Sequence, residues 1–262
     1  TTTTGPVRII TAASLFDGHD AAINVMRRLI QSSGAEVIHL GHDQSAKAVV
    51  DCAVQEDAHA IALTSYQGGH VEYLTYIRQL LDEAGCAHVR IFAGGGGTIT
   101  PPEIRTLHQS GIEKIYSPDD GRSMGLMGMI HHLMENACKA DLIAESRLAS
   151  LDGPVTAEDM AKVGLLLTLS ETADDSTFKS TLDKCRSSQK EVPVIGFTGT
   201  GGAGKSSLLD EVMLRILRDN PDKKICLLCV DPTRKRTGGA LLGDRIRMNS
   251  LSNNALFMRS LA

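Results

Sequence analysis

Between residues 7 and 137 short apolar runs alternate with amphipathic stretches, and this rhythm leaves few folds open to the chain. The runs at 7–13, 36–40, 58–65, 88–93 and 114–116 read as strands, and the stretches near 20–33, 45–57, 70–84, 102–110 and 122–137 read as helices. A strand followed by a helix long enough to cross back leads to a parallel neighbour, with helices on both faces of the sheet. The expected class is therefore α/β, a flavodoxin-like (Rossmann-like) parallel sheet in the order 2-1-3-4-5.

Residues 138–190 carry no strand signal, and two helices near 156–170 and 172–188 make this segment a helical linker. From 192 the earlier rhythm returns. VPVIGFTG at 192–199 reads as a strand, a glycine loop and an amphipathic helix follow, and ICLLCVD reads as a second strand, buried and parallel. The expected division is a disordered tail at 1–6, a first α/β unit at 7–137, the linker at 138–190 and an incomplete second α/β unit at 191–262.

Composition excludes several classes. Hydrophobic residues make up 42% and charged residues 22%, and 27 Lys and Arg against 31 Asp and Glu leave a formal charge of −4. That balance fits neither a disordered chain nor a polyanion binder, so no nucleic-acid partner is expected. Trp is absent and aromatic residues amount to 3%, which also argues against a base-stacking surface. No run reaches the ~18 apolar residues of a membrane span, and TTTTGPVRII does not read as a signal peptide. No membrane association and a cytoplasmic location are the expectation. Cys226 and Cys229 have a suggestive spacing, but no second pair follows, so packing within the strand is the simpler reading.

In a doubly wound sheet the ligand lies beyond the carboxyl ends of the strands, where their order reverses. Three unusual segments stand there: Asp17-Gly18-His19 after the first strand, Ser65-Tyr66-Gln67-Gly68-Gly69-His70 after the third, and Gly94-Gly95-Gly96-Gly97 after the fourth. An aspartate two residues before a histidine can take the ring N–H not used for ligation, which sets the tautomer. One histidine and one carboxylate do not complete a protein-only metal site, so the metal must bring its own equatorial ligands, as a macrocycle does. Four consecutive glycines strip one wall of side chains. His70 opens a helix beside the same crevice, whereas His39, His42, His59, His88, His108, His131 and His132 read as ordinary surface or structural residues.

These residues resemble the DxHxxG…SxL…GG pattern of the cobalamin-binding domain of adenosylcobalamin-dependent mutases and corrinoid methyltransferases. The resemblance implies that His19 is the lower axial ligand to cobalt, that Asp17 orients it, and that Ser65 and the Gly94–Gly97 wall contact the displaced nucleotide tail. Gly18 and Gln67 fall within the same motifs. Ala22 and Gln67 depart from the pattern, standing where it has glycine and leucine.

The run Gly199-Thr200-Gly201-Gly202-Ala203-Gly204-Lys205-Ser206 matches GxxxxGK[ST] at every fixed position, between an expected strand and an expected helix. Backbone N–H groups of Gly199, Gly201, Gly202, Ala203 and Gly204, with Ser207 at the helix start, would cradle phosphates. Lys205 would reach the β- and γ-phosphates as the catalytic cation, and Ser206 would ligate Mg²⁺. Asp231, at the end of the next strand, is placed to hold Mg²⁺ directly or through water. Arg234, Lys235 and Arg236 read equally as phosphoryl-charge stabilisers or as a solvated basic turn.

The stretch VDPTRKRTGGALLGDRIRM resembles the GTPase metallochaperones of cobalamin mutases, which adds Asp244 to the Mg²⁺ candidates and implies GTP or GDP as the nucleotide. No NKxD element that would read guanine is visible. The order of a corrinoid unit, a helical linker and the first half of a P-loop GTPase domain resembles the N-terminal portion of the fused isobutyryl-CoA mutases. By that resemblance a CoA-binding mutase barrel follows, the protein is a homodimer, and GTP hydrolysis gates the loading of adenosylcobalamin. Two other readings stand beside it. One is a corrinoid methyl-transfer shuttle, which usually carries a helical cap where only six residues precede Val7; the other is a P-loop signalling protein with a receiver-like domain in which Asp17 accepts phosphate.

Overall fold

The computed structural model describes residues 5–186, 192–230, 239–242, 245–253 and 255–261. Strands β1 (Arg8–Ala13), β2 (Glu36–His39), β3 (Ala60–Thr64), β4 (Arg90–Gly94) and β5 (Lys114–Tyr116) alternate with helices α1 (Asp20–Ser32), α2 (Ala46–Gln55), α3 (His70–Glu83), α4 (Pro101–Gln109) and α5 (Pro118–Ala137). All strand pairs are parallel, and these five follow the expected order 2-1-3-4-5.

Period-two alternation explains why both faces are covered. Ile10, Ala12, Ile38, Ile61, Leu63, Ile91 and Ala93 point into one apolar cluster with α2, α3 and α4. Ile9, Val37, Ala60, Ala62 and Phe92 point into the other, with residues of α1 and α5. Each fully buried Ile or Leu adds roughly 1.5–3 kcal/mol of transfer free energy. Helix starts are set locally: Ser45 Oγ accepts from Ala48 N at 3.2 Å, and Thr100–Glu103 and Ser117–Asp120 form capping boxes. Gly125, with φ +66°, breaks α5 into two segments.

Three helices follow, α6 (Glu145–Leu148), α7 (Met160–Thr172) and α8 (Asp175–Cys185); α6 was not foreseen, and α7 and α8 fall on the two expected linker helices. Buried Asp57 fastens them to the first unit, accepting from Thr168 Oγ1 at 2.6 Å and Arg147 at 2.6 Å. Gly164 of α7 lies so near the end of α2 that a Cβ would stand 2.7 Å from Val54 O.

The remaining elements are α9 (Lys205–Asp219), β6 (Ile225–Val230), β7 (Ala240–Leu242) and β8 (Leu256–Leu261). β6 pairs with β8, and Met213 and Leu217 of α9 pack on Leu227, Leu256 and Met258. Asp210 of α9 accepts from Ser250 N at 2.8 Å and Asn249 N at 3.1 Å, which ties the helix to the turn before β8. β7 instead joins the first sheet, parallel to β2, and extends the order to 5-4-3-1-2-7.

Two sequence expectations are corrected. Residues 192–199 form no strand, because a strand needs a neighbour for its backbone groups and among the described residues none pairs with it; Val192, Val194 and Ile195 are exposed. β6 is buried on one face only, against α9, and its Cys226, Leu228 and Val230 are exposed. Among the described residues no helix is long and apolar enough to cross a membrane.

The second half of the chain is also joined to the first through buried charge. Glu56, fully buried after α2, accepts from Arg245 at 3.2 Å, from Ser260 N at 3.0 Å and from Ser260 Oγ at 3.0 Å. Its carbonyl accepts from Arg8 at 3.0 Å and from Arg259. Glu171 of α7 bridges Arg8 at 2.9 Å and Arg259 at 2.8 Å. Nothing local in the sequence marks these residues as partners.

Acid destabilisation follows from two buried groups in this region. Burial and the neighbouring Arg8 charge push His59 down to about 3, and its Nδ1 accepts from Arg8 N at 3.0 Å. Burial alone would raise Asp57, but contacts with His88, Arg147 and Thr168 hold it below the usual carboxylate range. For both groups the unfolded chain binds the proton first as pH falls, so stability is present above their ordinary values and is lost below them. His59 alone accounts for about 2 kcal/mol lost between neutral pH and pH 5. Urea unfolding at the two pH values measures it, and His59→Gln should flatten the difference.

Candidate functional site

The loops after β1, β3 and β4 meet at the carboxyl end of the sheet, as the strand order requires. Asp17 is fully buried and His19 carries a side chain 63% exposed. Asp17 Oδ1 accepts from His19 N at 2.9 Å and lies 2.8 Å from His19 Nδ1, while Oδ2 accepts from Tyr66 N at 2.6 Å. Burial works to raise the Asp17 carboxyl, yet these bonds hold it below the usual range. Since the carboxylate is ionised, Nδ1 of His19 carries the proton that it donates, which leaves the Nε2 lone pair available at an exposed ring. Phe16, just before, has φ +64°, a strained conformation for a bulky side chain.

Beside this pair runs a slot of about 480 Å³ between the sheet end, α1 and α5. Ile23, Met26, Phe92, Leu126, Met129 and Leu133 give it apolar walls. Gly94, Gly95 and Gly96 line it, and Gly97 lies outside the lining. The wall is glycine for a packing reason: a Cβ on Gly95 would stand 1.9 Å from Ser65 O, and one on Gly96 would stand 3.3 Å from the Tyr66 ring. Tyr66 also approaches His19, with ring centroids 5.8 Å apart.

The motif residues do not all face the slot. Ser65 is buried, its Oγ accepts from Ser14 Oγ at 3.0 Å, and it does not line the cavity. Gln67 is exposed and its carbonyl lies 3.3 Å from His70 Nδ1. Gly18 has open space around it. His70 is buried, with Nε2 3.3 Å from Glu103 Oε2. The sequence reading passed over Tyr66 and Thr64 as site residues; their places at the carboxyl end of β3, beside Ser65, were the available signal.

Among the described residues no group of three or more His, Cys, Asp or Glu side chains could hold a metal ion. A single exposed imidazole beside a long apolar slot therefore suits a metal that brings its own planar ligand set and an apolar appendage.

The described residues hold only part of the second constellation. Gly199 to Gly204 form an exposed loop that leads into α9 at Lys205, with Gly202 and Gly204 at φ +77° and +80°. Those conformations, which glycine reaches without strain, turn the loop toward the helix N-terminus. Lys205 Nζ donates to Thr200 O at 2.9 Å and so spans the loop, and Ser206 and Ser207 lie in the first turn of α9. Asp231, Asp244 and the basic run Arg234, Lys235 and Arg236 lie outside the described residues.

Comparison with known proteins finds a family match in each half of the chain. Residues 7–116 match the B12 binding domain family, and residues 163–262 match the methylmalonyl-CoA mutase-associated GTPase MeaB family. The chain thus carries a B12-binding α/β unit followed by a MeaB-type P-loop GTPase region. Over 98% of its length it is similar to the fused isobutyryl-CoA mutases, at 49% identity to that of Geobacillus kaustophilus and 51% to that of Cupriavidus metallidurans. It spans about a quarter of the length of these relatives, 24% and 23%. The 2-hydroxyisobutanoyl-CoA mutase small subunit of Aquincola tertiaricarbonis is 29% identical over 44% of this chain and 82% of its own length.

Proposed function

We propose that the chain is the cobalamin-holding and GTP-binding module of an adenosylcobalamin-dependent fused isobutyryl-CoA mutase, with His19 the axial nitrogen ligand to cobalt. The observation that carries this reading is the Asp17–His19 pair, whose ring proton is committed to Asp17 while the ring stands exposed beside an apolar slot. When bound, the adenosylated cofactor supplies the carbon radical that starts the interconversion of isobutyryl-CoA and n-butyryl-CoA. Asp17 fixes the imidazole tautomer, Tyr66 holds Asp17 through its N–H, and the walls from α1 and α5 exclude water from the tail.

In the second unit Lys205 neutralises the β- and γ-phosphates, and Ser206 with Asp231 and Asp244 holds Mg²⁺. Nucleotide hydrolysis gates cofactor loading, a mutase barrel follows in the same protein, and the protein works as a cytoplasmic homodimer. A phosphate-accepting role for Asp17 is disfavoured, because both of its oxygens already accept hydrogen bonds and the side chain is fully buried.

Electron paramagnetic resonance of reduced cobalamin bound to the protein tests the reading. With ¹⁵N-histidine the nitrogen superhyperfine lines should change from three to two, and His19→Ala should lose them. Retention of the three-line pattern of the cofactor's own base would reject it.

A further inference from the structure

The turn that leads into the Asp17–His19 pair holds a residue that its backbone disfavours. Asp17 N donates to Ser14 O at 3.0 Å, so residues 14–17 close a four-residue turn. Phe16 stands third in it with φ +64°, the place where such turns take glycine or asparagine. A bulky side chain there carries backbone strain. Phe16 gains little burial in exchange: it is 80% exposed, whereas Asp17 beside it is fully buried. An aromatic ring left in water at a strained position gives the fold nothing that glycine would lack.

The position of Phe16 limits what can cover it. Phe16 and His19 are three residues apart, so their Cα atoms lie within about 10 Å of each other. Both side chains are exposed, and the turn that carries Phe16 is closed by the N–H of Asp17, the residue that orients His19. A planar group much wider than an imidazole, centred on a metal beyond His19 Nε2, extends over this neighbourhood.

We propose that Phe16 is a macrocycle-binding residue, its ring packing against the face of the corrin that His19 approaches. This rests on the reading of His19 as the axial ligand to cobalt. On binding, the ring leaves water for a broad, largely apolar surface, and that contact offsets the strain of the turn. A residue at ease with positive φ would relax the turn and give up the contact. Stability of the free protein and affinity for the cofactor therefore run in opposite directions at this position.

Urea unfolding of the cofactor-free protein, with absorbance titrations using cobalamin and tail-free cobinamide, tests this on the wild type, Phe16→Asn and Phe16→Tyr. Asparagine tolerates positive φ, whereas tyrosine keeps both the ring and the strain. Phe16→Asn should raise the urea midpoint by about 0.3 M and weaken binding of both ligands alike, by about tenfold each. Phe16→Tyr should keep the wild-type midpoint and bind both ligands within about twofold of wild type. A loss confined to cobalamin would overturn the assignment, since it would move the contact from the macrocycle to the tail. Unchanged affinity of Phe16→Asn would overturn it too, leaving the ring to a protein surface, as would a lowered midpoint, which would show that the ring already supports the free fold. A wild-type protein that binds neither ligand would remove the His19 reading, and the assignment with it.

Discussion

Gly95→Ala should cost about 3 kcal/mol of folding stability, near the upper end for forcing a methyl into packed structure. The added Cβ would fall 1.9 Å from Ser65 O and 2.8 Å from Thr98 Oγ1, and the first of these is backbone that no side-chain rotation can move. Relief requires the loops after β3 and β4 to separate. That movement strains the bond from Ser65 N to Gly94 O, 2.9 Å long, and displaces Tyr66, whose N–H holds Asp17. Cobalamin affinity should therefore fall together with stability. Gly97→Ala and Gly18→Ala are the controls, since nothing lies within 4 Å of the added atom; each should stay within about 0.5 kcal/mol of wild type. Urea unfolding of the three variants checks the ordering, and a Gly95→Ala protein as stable as the controls would contradict the close packing.

Glu56→Ala should cost about 3–5 kcal/mol, the range for removing one partner of a buried ion pair. The loss is large because Arg245 is left with its charge inside the protein and because Ser260 N loses its acceptor. Glu56→Gln keeps an acceptor oxygen at the same reach and should lose less. The effect should be uneven along the chain. Arg245 and Ser260 belong to the second half, so its contact with the first unit loosens before the five-stranded sheet unfolds. Hydrogen exchange read separately over β8 and over β3 distinguishes this from uniform destabilisation, in which both would exchange alike.

The strands of the first unit were legible because each is apolar and short and is followed by a helix with one apolar stripe; parallel pairing and strand order follow from that alternation. Asp17, His19 and the glycine run were legible because the switch point of such a sheet is a predictable place. What escaped was non-local. β7 is three residues inside GGALLGD, with no alternation long enough to register, and its strand character comes from lying against β2. Residues 192–199 fail in the opposite sense: they have strand composition, and no described neighbour supplies their hydrogen bonds. Glu56, Arg245 and Arg259 carry no local mark of burial, and only tertiary packing makes them a buried cluster. The Ser65 motif lies in the turn beside the slot, while the slot itself is faced by the preceding Thr64 and the following Tyr66.

The edge strand also has a consequence in time. Val37 pairs with Leu241, so most of the chain separates the two strands, whereas β1 to β5 each find a neighbour within the first unit. A ribosome delivers the polypeptide from its N-terminus, and the five-stranded sheet can assemble while β2 still presents an open row of N–H and C=O groups. That margin stays available to any passing strand until residues 240–242 emerge. Its completion waits for every residue between Val37 and Leu241 to be made, and that interval is when a nascent chain is most open to pairing with the wrong partner.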